Sequence, residues 1–143
     1  MHTQMKLIWL IMVATVAFAA YVRFAPSNPE HWHVDPIDSS KRMEAGVLVR
    51  MPVDLAVLHA AMMTAPRVRV LAGSVQDGHI TYVARSKLWG FPDYISVKQT
   101  GSNLAVYSRQ RFGSSDHGVN ARRLLGLAEA IGLPLEEIHL ESL

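Results

Sequence analysis

The chain contains no cysteine. Disulfides, thiolate metal sites and cysteine nucleophiles are therefore excluded, and oxidising and reducing compartments are equally open to it. Charge is sparse too: 18% of the 143 residues are Asp, Glu, Lys or Arg, and the formal net charge is +2. Lys6 and Arg23 account for that excess, because residues 24–143 hold 12 basic and 12 acidic side chains. A chain so balanced lacks the electrostatic footprint of a nucleic-acid binder. Also missing are a G-x-S-x-G elbow, a P-loop, a dinucleotide fingerprint and an H-E-x-x-H pair. No catalytic set and no cofactor is identified, and the reading leans away from an enzyme. A hydrolase using Asp116 or His117 stays open as an alternative, although Ser114, Ser115, Asp116 and His117 are consecutive and neighbours cannot form the hydrogen-bond chain of a triad.

What is present begins with one long apolar run. Residues 7–22, LIWLIMVATVAFAAYV, carry no charge, and the stretch from Met5 to Phe24 is interrupted only by Lys6 and Arg23 near its ends. Twenty helical residues rise about 30 Å, enough to cross the hydrocarbon core. The rival reading is a cleaved secretory signal, with Lys6 as the basic region and Ala17-Phe18-Ala19 as the small-x-small site. The uncleaved anchor is preferred because the apolar run is long and bulky Tyr21, Arg23 and Phe24 follow that site directly. Segment 1–24 is thus expected to make the lipid bilayer a partner, with the rest of the chain on the exported, periplasmic side, or released there if the segment is cleaved.

Half of the chain is hydrophobic, which suits one core of ordinary size and leaves no room for a second. Residues 25–46 are rich in Pro, Ser and acids, follow neither structural period, and read as a surface linker. Within them His31, His33 and Asp35 have alternate spacing that is a weak metal-ligand candidate, while Trp32 reads as an anchor on the domain or at the headgroup level. Residues 47–143 are expected to form the domain. VLVRM at 47–51 is strand-like, and Leu55, Leu58 and Met62 share one face of a helix expected over 53–64, with His59 at the edge of that face. Strands are expected at 67–73, 79–86, 93–99 and 103–111, divided by Asp-Gly and Gly-Ser turns that favour antiparallel hairpins.

A closing helix is expected over 117–131, with Ser115 or Asp116 as N-cap and Ala121, Leu124, Ala128 and Ile131 as its apolar stripe. Gly126 within it suggests close backbone approach to the sheet. The expected fold is α+β: after the apolar helix, an antiparallel meander of four or five strands packed by two helices, in helix-grip-like order. The tail, LEEIHLESL, is ambiguous.

The chemistry concentrates between residues 85 and 123. Residues 50–123 hold ten basic and four acidic side chains, and Arg outnumbers Lys ten to four in the chain. Period two puts Ala105, Tyr107, Arg109 and Arg111 on one face of their strand, and arginines there need partners. Arg85, Ser86, Asp93, Arg109, Arg111, Asp116, Asn120 and Arg123 are expected to form one polar cap at a sheet edge. Such a cap is either internal glue or an anion site, where guanidinium forks and a helix N-terminus hold a phosphate or carboxylate. An anionic lipid headgroup or a protein is the partner the anion site would take. Trp89 and Phe91, in the turn LWGFPD, either close the core or touch bilayer or ligand.

YVARSKLWGFPDYISV, followed by LAVYSRQRFGSSDHGVNARR, resembles the DUF1499 domain family. Its pattern is an Arg-Ser pair, a Gly-Phe-Pro-Asp turn, Ser-Arg-x-Arg-x-Gly, then Asp-x-Gly-x-Asn and Arg. These fall on Arg85-Ser86, Gly90 to Asp93, Ser108 to Gly113, Asp116, Gly118, Asn120 and Arg123, over a resemblance that spans about residues 47–131. The apolar segment and the SNPEHWHVDP stretch resemble bacterial, membrane-associated members. The resemblance implies a family and a location, and assigns no activity.

Overall fold

The computed structural model describes residues 2–38, 46–112 and 118–142. Helix α1, His2–Phe24, is long and apolar enough to cross a membrane, with mean hydropathy 2.0 over its apolar window. Its residues 3–18 are exposed all round, whereas Val22 and, just beyond, Ala25 are buried against the domain. A four-residue helix follows, α2 at Pro29–Trp32, capped by the Asn28 side chain, which accepts from the Glu30 amide.

Six strands make one antiparallel sheet in the order β2-β3-β4-β5-β1-β6: β1 Val47–Met51, β2 Val68–Ser74, β3 His79–Arg85, β4 Pro92–Thr100, β5 Asn103–Gln110 and β6 His139–Ser142. The hairpins from β2 to β5 are the expected meander. The ambiguous tail supplies a sixth strand, paired antiparallel with β1. Gly101-Ser102 is a two-residue hairpin turn that puts Thr100 opposite Asn103, and Gly101 has the positive φ of 59° such turns require.

Helices α3, Leu55–Thr64, and α4, Val119–Ala130, cover one face of the sheet. Leu55, Leu58, Met62, Leu124 and Ala128 pack there on Ile80, Tyr82, Ile95, Val97, Leu104 and Val106, which alternate along their strands and so share one face of the sheet. Asp54 caps α3 by accepting from the Ala56 amide, and His59 at its edge is hydrogen-bonded to the Tyr82 hydroxyl at 2.9 Å. The entry to α4 differs from expectation. The chain turns in through Gly118 in the left-handed region at φ 75°, with no side-chain cap, and Ser115 and Asp116 lie outside the described residues.

The other face of the sheet is buried as well. Residues 25–38, expected as a surface linker, form a strap across it, burying Trp32 on Val83 and Tyr94, and Val34 on Leu48, Ala105 and Tyr107. Strands β4 and β5 therefore read as runs of buried residues, and their polar side chains find partners: Thr81 with Ser96 at 2.9 Å, and Ser108 donating to Asn120 at 2.8 Å.

Candidate functional site: a groove between the two helices

Antiparallel register sorts the expected polar cap into two groups. Tyr94 lies opposite Arg109, so both face the strap; Asp93 lies opposite Gln110 and Ile95 opposite Ser108, so these face the helices. The sheet thus stands between Arg85, Arg109 and Arg111 on one side and Asp93, Asn120 and Arg123 on the other, so among the described residues the expected cap is divided between two faces; Asp116 lies outside them. Two-residue alternation within β4 forces this result: an aspartate one position before Tyr94 points to the opposite face.

On the strap face the arginines hold backbone. Arg109, 3% exposed, donates to the carbonyl of Trp32 at 2.9 Å and of His31 at 3.3 Å, with its guanidinium 4.7 Å from the centre of the Trp32 ring. Burial holds its pKa below the usual guanidinium value, offset in part by Tyr107 and Tyr94. Arg111 donates to the Pro26 carbonyl at 2.9 Å. Arg85 donates to Gly90 at 2.8 Å and the Ser86 hydroxyl accepts from the Phe91 amide at 3.0 Å, so this pair shapes the turn before β4. Phe91 is half-buried and lies 5.9 Å from Phe112, whereas Trp89 in the same turn is exposed.

The three metal-ligand candidates diverge. His31 is exposed and edge-on to Trp32; His33 is hydrogen-bonded to Thr81 and stacked on His79 with centroids 3.9 Å apart; Asp35 is ion-paired with Lys98. Among the described residues no group of three metal-ligating side chains converges. Asp116 and His117, the hydrolase alternative, lie outside the described residues.

The helix face holds the better-formed site. A groove of about 460 Å³ runs between α3 and α4. Ile95 and Val68 from the sheet, Ala61 and Met62 from α3, and Gly126, Leu127 and Ala130 from α4 line it, and Arg123 is the charged residue of the lining. Arg123 pairs with Asp93 at 2.8 Å, both side chains keeping some exposure, and its Nη1 is 3.4 Å from the buried Asn120 amide oxygen. Gly126, expected at a close approach to the sheet, is instead exposed, and a Cβ there would meet no atom within 4 Å. The missing side chain opens the groove.

This arrangement rests on the segment that carries the family pattern. The profile described as "Protein of unknown function (DUF1499)" matches residues 20–131, more than half of the chain. The chain belongs to the DUF1499 family. The match begins at the end of α1 and takes in the strap as well as strands β1 to β5 and helices α3 and α4, leaving β6 outside it, so it is larger than the 47–131 segment that carries the sequence motif. No curated protein matches this DUF1499 chain.

Sequence reasoning found Arg123, Asn120 and Asp93 but not the apolar wall beside them. Met62 is core, as its helical face implies, and also borders the groove, whereas Gly126 is exposed rather than packed on the sheet. A signal for the groove did exist: Gly126 lies one turn after Arg122 and Arg123 on an amphipathic helix, where an open position beside a cation is the simplest sequence mark of a mixed apolar and charged site.

Proposed function

We propose that this DUF1499 protein is a membrane-tethered, non-enzymatic binding domain whose groove takes an amphipathic anion, an alkyl chain with an acidic head. The observation that carries the reading is the placement of Arg123 at a mostly apolar groove, roofed by no side chain at Gly126, whose other polar lining residue, Thr64, donates its hydroxyl to the Ala61 carbonyl. Its volume lies in the range of small-molecule sites, and mostly apolar lining with one directional polar group is their usual composition. Arg123 supplies a planar fork matched to a carboxylate or phosphate. Asp93 keeps the cation aimed and would share it with the ligand's head.

Tethering is proposed through α1 as an uncleaved anchor. Its length supports this, and its exposed apolar sides would be costly in water. Arg85 and Arg109 are read as structural, since they donate to carbonyls of the turn and strap.

The test uses the full chain in nanodiscs, with the one engineered thiol that a cysteine-free sequence allows, Ala130→Cys at the groove's rim, carrying a polarity-sensitive fluorophore. Titration with hexanoate, heptanoate and octanoate should shift the emission to the blue, with affinity rising about fourfold per added methylene. Octanol should bind more weakly than octanoate, and Arg123→Gln should erase that difference. Equal affinity for acid and alcohol in the unmutated chain would remove Arg123 from the site.

A further inference from the structure

The end of α1 and the β3–β4 turn meet. The Tyr21 ring lies edge-on to Phe112, with centroids 6.2 Å apart, and Phe112 in turn lies 5.9 Å from Phe91. A Cβ placed on Gly90 would stand 3.4 Å from Nη1 of Arg23. These contacts hold the turn beside the last helical turn of α1, where Val22 is already buried in the domain. In a helix that crosses a bilayer, an arginine and a tyrosine at the end of the apolar run sit at headgroup level. The turn then sits there too.

The turn is built as a surface for that layer. Leu88 is 82% exposed and Trp89 51%, and Phe24 at the helix end is 78% exposed. Although Val57, Met63, Val119, Leu135 and Leu140 are exposed elsewhere on the domain, Leu88 and Phe24 are the most exposed large apolar side chains among the described residues. Cations surround them: Arg23 and Lys87 are exposed, Arg111 is half-buried, and the field of Arg23 and Arg111 reaches Arg85. Opposite each other in water such charges repel; against anionic headgroups they gain.

We propose that the β3–β4 turn is a second membrane contact, with Leu88 and Trp89 seated in the headgroup layer beside α1 and Arg23, Lys87 and Arg111 on the phosphates of anionic lipids. It rests on the reading of α1 as an uncleaved membrane anchor. The contact orients the domain: instead of swinging on a flexible tether, the sheet stands with its β3–β4 end on the bilayer and its Gly101-Ser102 turn away from it. The strap, clasped by Arg111 at Pro26, makes the connection short.

The experiment places a single thiol at Leu88 or, as the distal control, at Ser102, both exposed positions in a chain without native cysteine. Each full-length variant carries a polarity-sensitive probe in nanodiscs of phosphatidylcholine alone or with phosphatidylglycerol, some lipids bearing a quencher near the headgroup. The expected result is blue-shifted, quenched emission for Leu88→Cys and neither for Ser102→Cys, with quenching deeper in the anionic discs and lost in part on Lys87→Glu or in high salt. Protein that leaves the discs on carbonate washing overturns the anchor and with it this contact. Protein that stays while the Leu88 probe behaves like the Ser102 probe overturns the contact alone. Equal quenching in neutral and anionic discs overturns the role of the three cations.

Discussion

Trp32 lies flat on Tyr94, with ring centroids 3.8 Å apart and planes 11° from parallel. This stack joins the strap to the centre of the sheet, and Arg109 closes it from the side by holding the Trp32 carbonyl. The strap face is thereby a core in its own right, built from residues that precede the first strand by some fifteen positions in sequence.

Trp32→Ala should destabilise the domain by about 3–5 kcal/mol, the usual cost of removing a large buried aromatic. Trp32→Phe, which keeps a ring on Tyr94, should cost less. Urea unfolding of the full chain followed by circular dichroism measures both.

Replacing Arg109 separates glue from ligand site. Arg109→Met removes the charged donor shared by the His31 and Trp32 carbonyls, the latter keeping the Val34 amide and the Ser96 hydroxyl, and should cost about 2 kcal/mol. Octanoate affinity measured at the Ala130→Cys probe should not change, because the sheet separates Arg109 from the groove. A loss of affinity at full folding would move the anion site to the strap face.

The stacked pair His33 and His79 should make the strap sensitive to acid. Burial lowers both pKa values, and the charge of His33 lowers that of His79 further. Asp77 acts on His33 in the opposite sense, while the Val34 carbonyl and Asp35 oppose and Lys98 reinforces the shift of His79. The fold therefore prefers the neutral rings. As pH falls below 6.5, the ordinary value, the unfolded chain takes up protons first, so stability drops until the folded-state values are passed and then levels off. Urea midpoints taken from about pH 7.5 to about pH 5.5 should decline, and His33→Gln with His79→Gln should flatten that decline.

Asp93→Asn should move stability and binding in opposite directions. The ion pair with Arg123 is lost, at a cost of about 1 kcal/mol for a partly exposed pair. Arg123 is then released to the ligand, and octanoate should bind more tightly. Weaker binding would mean that the aiming of Arg123 by Asp93 outweighs their competition for the ligand's head.

Much of this architecture was legible. The β-branched alternation, the Asp-Gly and Gly-Ser turns and the Leu55-Leu58-Met62 stripe located the meander and the first packed helix to within two or three residues. The faces of the polar residues were legible in principle as well. A two-residue turn at Gly101-Ser102 pairs Thr100 with Asn103, and counting back from it puts Asp93 opposite Gln110 and Tyr94 opposite Arg109. Parity within each strand is local information, but a shared face between strands needs that count, and without it eight residues merged into one cap. The strap was not legible, because its order comes from Trp32, Val34 and backbone carbonyls that Arg109 and Arg111 reach across some eighty positions of sequence. No local period records such contacts. The groove escaped for a related reason: Gly126 within a helix reads the same whether it faces a wall or a void.

Gly126 offers the most direct measurement. Gly126→Leu adds a side chain where a Cβ meets nothing within 4 Å and removes a helix-weakening glycine, worth about 1 kcal/mol. In nanodiscs, with the probe at Ala130→Cys, the substituted chain should keep or raise its melting temperature and lose its response to octanoate. An unchanged octanoate affinity in a fully folded Gly126→Leu protein would contradict the groove as the binding site.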